Sequence, residues 1–304
     1  MPHLPKLRQL RVFQEIIRCG SIRAAAKALG QSQPALTRTI RELETTLGVA
    51  LLTRGTRGVA LTESGKAFAV RMRFILEELQ RAQEELNQLN AHSQGKVAFG
   101  FSSLIAFTIL PGVIGEFRNR RPFAGVSFKE AQLSSLIPPL REGQLDFAIG
   151  TMSSDVPLSE FIEEPLFNAA FCVLARKGHK LASCTSLQEL RNASWMLPET
   201  NMGYYKRLEA YLWPIDGPLL RSDSVASILN MVLHGDHLSV IASASAKPLG
   251  IDDQFCTLPI SDPLPEATYS LIYPRKAPLT ETARLMIDTI RRHCKKYDWQ
   301  NIAE

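Results

Sequence analysis

The stretch from Leu7 to Leu47 constrains this chain more than any other, because its punctuation permits only three helical segments separated by two tight turns. Leu10, Phe13 and Ile17 recur at helical spacing, and Gly20-Ser21 then ends that helix and caps the next, SIRAAAKALG. The second helix is short. Its Ala24, Ala25 and Ala26 are small enough for another helix to cross closely, and Gly30 supplies a left-handed ending. Ser32 can cap a third helix, with Pro34 in the first turn, where a missing N–H costs nothing. Leu36, Ile40, Leu43 and Leu47 then form one buried stripe. The opposite face displays Gln33, Thr37, Arg38 and Arg41, whose amide, hydroxyl and guanidinium groups suit base edges and phosphates. Helix, short helix, tight turn and polar-faced helix make a helix-turn-helix, in which the last helix enters the major groove of DNA.

The segment GVALLTRGTRGVALT follows, rich in β-formers, with Gly55 and Gly58 at its turn and Arg54 and Arg57 beside them. It reads as a hairpin wing whose arginines approach DNA next to the third helix. Charge agrees with this placement. Residues 1–62 hold ten Lys/Arg against three Glu, a net of +7, and the rest of the chain holds 25 against 27, a net of −2. All the excess positive charge behind the overall +5 therefore sits in the first fifth, as expected of a nucleic-acid module joined to a near-neutral body.

The run AAAKALGQSQPALTRTIRELETTLGVALLTRGTRGVALTESG resembles the N-terminal signature of LysR-type transcriptional regulators. Length, linker and C-terminal organisation also fit, so the resemblance extends over essentially the whole chain. It implies that Gln33, Pro34 and Thr37 lie where the family probes the major groove, that Arg38 grips phosphate, and that Arg54 and Arg57 bring the wing to the minor groove; Ser32 and Arg41, on the same helix and its cap, are expected among the DNA-binding residues. Thr37 stands where serine is commoner in the family, and its methyl group bears on base preference. The resemblance further implies dimers of dimers on promoter DNA and, for an activator, contact with RNA polymerase.

From Thr62 onward Phe68, Met72, Ile75, Leu79, Ala82, Leu86 and Leu89 alternate steps of four and three. A seam this regular, about three heptads long, is narrower than a globular-core face and predicts a dimerisation helix. Pairing has a reason, since one recognition helix reads few bases and a symmetric dimer reads two half-sites. The expected division is 1–62 for the winged helix-turn-helix, 63–91 for the linker helix and 92–304 for an effector domain.

After HSQG at 92–95, strand-like and helical segments alternate: VAFGF, LIAFTILPGVIGEF, VSFKEA, SSLIPPLREG and DFAIG. The spacing predicts right-handed β-α-β units and a parallel sheet. A second lobe is expected between about 165 and 266, from AAFCVLA, ASWML and HLSVIA with helical GYYKRLEAYL and SVASILNMVL, while TYSLIY and the last helix return to the first lobe. The fold class is thus α/β, with an N-terminal winged helix-turn-helix, a long linker helix and a two-lobed sensor similar to periplasmic binding proteins, as the family resemblance implies. In open α/β sheets ligands bind beyond the strand ends, near helix N-termini. Ser102, Ser103, Gln132 and Ser134 on one lobe and Thr200 and Asn201 on the other meet that rule. No arginine stands in these turns, which favours a small hydroxy- or amino-acid-like metabolite over a dicarboxylate. The strings FGFSSLIAFT, EAQLSS, LDFAIGT, LPETNMGYY and SDSV resemble the family's regulators of threonine and serine catabolism.

Other features read as structural. The five cysteines are odd in number and widely spaced, so neither a disulfide framework nor a zinc knuckle is expected. His234 and His237 flank a helix-to-strand junction with no third metal ligand in view. Glu163-Glu164 before Pro165 reads as an exposed crossover between lobes, and Trp195, Trp213 and Trp299 as core residues. There is no P-loop, nucleophile elbow or dinucleotide fingerprint, so no enzyme and no cofactor is expected. An exported small-molecule binding protein with a basic extension is the rival reading. Against it stand the complete helix-turn-helix and an N-terminus lacking the apolar run of a secretory signal, which predicts a cytoplasmic address with no membrane partner.

Overall fold

The structure, a computed structural model, describes residues 4–55, 58–89, 95–151, 159–198, 208, 217–246, 254–262, 264–275 and 277–299. It divides into two units, Met1–Leu86 with Arg141–Gln144, and Asn87–Leu140 with Leu145–Glu304.

The first unit begins with helices α1 (Leu7–Cys19), α2 (Ile22–Ala28) and α3 (Gln33–Leu47). Gly20 and Gly30 both turn the chain in the left-handed region, at φ 64° and 62°. Ser21 accepts the Ala24 N–H and Ser32 accepts the Ala35 N–H, each at 3.4 Å, so both predicted caps are present. The three helices bury Phe13, Ile16, Ala25, Leu36, Ile40 and Leu43 together. A hairpin follows, β1 (Leu52–Gly55) antiparallel to β2 (Gly58–Leu61). Its base is tied to α3 by the Glu44 carboxylate, which accepts the Leu51 and Leu52 N–H groups at 2.8 and 3.1 Å. Helix α4 (Glu63–Leu89) leaves the hairpin so closely that a Cβ on Gly65 would lie 2.0 Å from the Leu51 carbonyl oxygen.

The start of α4 departs from the predicted seam. Met72 is fully buried in the core of the helix-turn-helix, and Phe68 packs there with its ring 5.8 Å from that of Phe13. Met72 is therefore a core residue and Phe68 is partly buried against the same core: the first turns of the helix are used to close the N-terminal unit. Ile75, Leu79 and Leu86 are 51, 45 and 62% exposed, and Ala82 is exposed as well. The side chain of Leu89 lies outside the described residues.

The second unit contains two five-stranded sheets. The first has the order β4 (Gly125–Glu130), β3 (Lys96–Phe101), β5 (Phe147–Thr151), β12 (Ala267–Pro274) and β6 (Phe161–Ala169). Helix α7 (Leu133–Arg141) covers one face through Leu136 and Leu140. Helices α6 (Leu110–Arg120) and α9 (Glu281–Lys296) cover the other through Phe117, Met286 and Ile290. With both faces covered, β5 is buried at every residue, which is why FAIG reads as a continuous apolar run. The second sheet has the order β11 (Phe255–Thr257), β7 (Phe171–Arg176), β10 (His237–Ala242), β8 (Ser194–Leu197) and β9 (Leu219–Arg221), with α8 (Val225–His234) packed on it through Ile228 and Val232.

Three expectations are corrected here. Both sheets are mixed: β3, β4 and β5 are parallel, but β12 runs antiparallel to β5 and β6, and β7 antiparallel to β10. The cause is the double crossing between lobes, since the chain leaves the first sheet at Ala169 and re-enters directly opposite at Ala267. The crossover consequently lies after Ala169, and Glu163-Glu164-Pro165 sit inside β6. There Glu163 accepts the Ser270 hydroxyl at 2.8 Å and Glu164 accepts the Arg291 Nε–H at 2.9 Å. Lastly, the helix expected over LIAFTILPGVIGEF is two, α5 (Ser103–Phe107) and α6, broken at Thr108, whose hydroxyl bonds back to the Leu104 carbonyl at 2.6 Å.

Candidate nucleic-acid interface and effector pocket

Helix α3 has two sharply different faces. Leu36, Thr39, Ile40 and Leu43 are buried, while Ser32, Gln33, Pro34, Arg38 and Arg41 are exposed and Thr37 is half-buried between them. The cap at Ser32 and the proline behind it leave the N-terminal turn projecting, the geometry with which a recognition helix reaches base edges. Arg38 is 82% exposed and donates to Glu42 one turn on, at 3.0 Å. An exposed pair of this kind contributes at most about 1 kcal/mol, so exchanging Glu42 for a phosphate is easy. Glu42 was not singled out in the sequence, although its spacing of four from Arg38 is the signal for such a pair. Arg54 lies on β1 opposite Val59, with its side chain outside the described residues, and Arg57 also lies outside them.

The second site is a cavity of about 60 Å³ between the two lobes of the C-terminal unit. Ser102, Ser103, Gln132, Thr151 and Tyr269 line it from one lobe, and Asp223, Val225, Ile228, Ser239 and Ser245 from the other. Ser102 follows β3 and Gln132 follows β4, the strand-end positions that the sequence pointed to. Ser134 lies in the first turn of α7 and does not line the cavity, because the helix directs its neighbours Leu133 and Leu136 into the core instead. Thr200 and Asn201 lie outside the described residues. Ser103 is already engaged, donating to Glu130 at 2.7 Å. Ser102 and Ser239 are only 7 and 1% exposed; Ser102 lies beside the Tyr269 hydroxyl, and the Ser239 hydroxyl has no hydrogen-bond partner among the described residues. A buried hydroxyl without a partner costs about 1–3 kcal/mol, so the Ser239 hydroxyl has most to gain from a ligand. Burial raises the Tyr269 hydroxyl well above its ordinary pKa, with the nearby Ser102 hydroxyl pulling the other way, so the phenol stays protonated. Thr151, Asp223, Ser239 and Tyr269 were missed in the sequence. Ser239 carried a faint signal, as a lone hydroxyl inside the apolar run HLSVIA.

Residues 7–66 match the family described as bacterial regulatory helix-turn-helix proteins of the lysR family, and residues 90–295 match the LysR substrate binding domain. The chain belongs to the LysR-type transcriptional regulators. The regulator is 39% identical to the HTH-type transcriptional regulator TdcA of Escherichia coli (strain K12), over 95% of this chain and 94% of that one. It is 27% identical to a hydrogen peroxide-inducible genes activator of Pectobacterium carotovorum subsp. carotovorum, over 96% and 97%. Its fold is that of full-length CbnR complexed with its target DNA (TM-score 0.69, 20% identity, 95% of this chain and 99% of that one). It is likewise that of a full-length OxyR variant from Pseudomonas aeruginosa (TM-score 0.67, 24% identity, 95% of each). As members of a family of DNA-binding regulators, such proteins are not enzymes.

The thiols of this regulator are all held in the protonated form. Burial pushes Cys172 up to about 11 and Cys294 up to about 12, and raises Cys19, Cys184 and Cys256 as well. Since the thiolate is the reactive species, none of the five is set up as a fast nucleophile. Near the His234–His237 segment, Asp236 pairs with Arg176 at 2.8 Å and His237 Nδ1 meets the Ser194 hydroxyl at 2.8 Å. Among the described residues no three His, Cys, Asp or Glu side chains gather as a metal site, and no helix is long and apolar enough to cross a membrane.

Proposed function

We propose that this regulator is a cytoplasmic activator whose DNA module, residues 1–62, reads promoter half-sites through Ser32, Gln33, Pro34 and Thr37. In this reading Arg38, Arg41, Arg54 and Arg57 hold the phosphates and the groove beside them. The observation that carries it is the projecting, capped N-terminus of α3, polar on one face and buried on the other. Residues 63–91 pair two chains through the exposed Ile75, Leu79, Ala82 and Leu86, with Leu89 continuing the row, and two dimers form the tetramer that meets RNA polymerase. Residues 92–304 respond to a small hydroxy- or amino-acid-like metabolite in the interlobe cavity, with Ser102 and Gln132 on one side, while Thr200 and Asn201 stand as further candidates for the other. Control of threonine or serine catabolism is supported by the pocket strings and by the likeness to TdcA over nearly the whole chain.

A ligand alters DNA binding only by favouring one arrangement of the assembly over another, and a cavity walled by both lobes is placed to do so. The test is genome-wide mapping of bound sites, with anisotropy titrations on one mapped promoter at two salt concentrations. Sequence-selective binding that weakens with salt and clusters beside amino-acid catabolic genes is the expected result. Binding without sequence preference would overturn the regulatory reading, and sites beside unrelated genes would overturn the pathway.

A further inference from the structure

Ser239 is 1% exposed and lines the interlobe cavity, yet its Oγ meets no hydrogen-bond partner among the described residues. The other described hydroxyls that line the cavity are engaged. Ser103 donates to Glu130 at 2.7 Å, Ser245 donates to the Ala242 carbonyl at 2.6 Å, Ser102 and Tyr269 lie beside each other, and Thr151 has a partner as well. Alternation along β10 gives Ser239 its direction. Leu238 and Val240 belong to the large core cluster, so Ser239 and Ile241 project from the opposite face of the strand, the face on which α8 lays Ile228. Val225, Ile228, Leu229 and Ile241 also line the cavity, so the polar atom sits in an apolar stretch of wall. A charged group pressed against that stretch would lose its hydration to aliphatic side chains. A neutral hydroxyl costs less to desolvate, and it can both donate to a serine and accept from it. A site that holds out a buried hydroxyl rejects the analogue lacking the matching group, because its own polar atom is then left unpaired.

We propose that Ser239 is a specificity residue of the cavity, selecting a short acid with a side-chain hydroxyl over its deoxy counterpart by bonding that hydroxyl. A volume of about 60 Å³ holds on the order of five water-sized centres, so the ligand is a short molecule and one hydroxyl is a large part of its polar surface. This rests on the reading that the cavity is the effector site, and it narrows the hydroxy- or amino-acid-like class to members carrying a side-chain hydroxyl.

The test is isothermal titration of the full-length regulator with pairs that differ by one hydroxyl: serine and alanine, threonine and 2-aminobutyrate, glycerate and lactate. In one pair the hydroxylated member is expected to bind roughly tenfold or more tightly than its partner, the scale of a hydrogen bond whose absence strands a buried hydroxyl. Ser239→Ala should weaken that member by a similar factor, leave its partner unchanged and so close the gap. Thermal melting without ligand supplies a second readout. The same variant should melt no lower than the wild type, because the deleted hydroxyl had no bond to lose. A lower melting temperature means that the hydroxyl is spent on the protein's own structure through a fixed water, and overturns the proposal. It is overturned equally if no member of any pair binds, if the members of each pair bind alike, or if the gap survives Ser239→Ala. Val225→Phe, which fills the cavity, separates this proposal from the reading beneath it. Binding that is lost in that variant but shows no hydroxyl gap would keep the cavity as the effector site and remove Ser239 from recognition. Binding indifferent to Val225→Phe would remove the cavity itself.

Discussion

The candidate DNA contacts on α3 and its cap lie between Ser32 and Arg41, ten consecutive positions. The cavity of the second unit draws instead on Ser102, Gln132, Thr151, Asp223, Ser239 and Tyr269, spread over more than half the chain. A recognition helix needs only its own periodicity and a cap to present its polar face, so its function is local in sequence. A pocket at the ends of strands is made by the topology that brings those strands together. Side chains of modest individual character, a serine in one strand and a threonine at the end of another, acquire a role only there. The helical linker stands between the two cases, because one apolar repeat serves a core at its start and exposed surface beyond.

Substitutions along this linker helix should have the largest effects. Leu79→Asp places a charge on the exposed part of the α4 row. It should yield monomers with a folded effector domain and reduce operator affinity by roughly two orders of magnitude or more, the usual advantage of two linked half-sites. Sedimentation showing an intact dimer with normal operator affinity would remove α4 from the interface. Met72→Ala, only seven residues earlier, should act by a different route. It opens a cavity in the helix-turn-helix core and destabilises that unit by about 2–5 kcal/mol, visible as an early thermal transition separate from that of the second unit. If it alters dimerisation without altering melting, the division of the helix into core and interface is wrong.

Smaller effects test whether the DNA face is as local as it looks. Arg38→Ala should weaken binding to all DNA sequences, by about 1–3 kcal/mol if the contact is a charged hydrogen bond. It should also lower the slope of log affinity against log salt by about one; an unchanged slope excludes Arg38 from the phosphates. Smallest is Ser32→Ala, where loss of the cap should cost about 1 kcal/mol of stability in the N-terminal unit while the cavity's ligand affinity stays the same. Chemical denaturation followed by a probe in each unit separates the two readouts. A change in ligand affinity equal to the change in stability would show that the units are coupled more tightly than the locality of their sites implies.

Local rules sufficed wherever a residue's neighbours in space are its neighbours in sequence. The caps at Ser21 and Ser32, the turns at Gly20 and Gly30, the buried stripe of α3 and the alternation of strands and helices follow from propensity, capping and periodicity within a few residues. The likeness to LysR-type regulators was legible for the same reason, since its signature is one contiguous run. Tertiary structure alone decided the rest. Periodicity records that Phe68 and Met72 face the same way as Leu79, but not where the helix-turn-helix core ends and solvent begins. Strand propensity is blind to direction, so the antiparallel entry of β12 and the lobe boundary after Ala169 emerged only from the pairing. Ser239 and Asp223 line the cavity and Ser134 does not, because proximity belongs to the folded arrangement of strands that are distant along the chain.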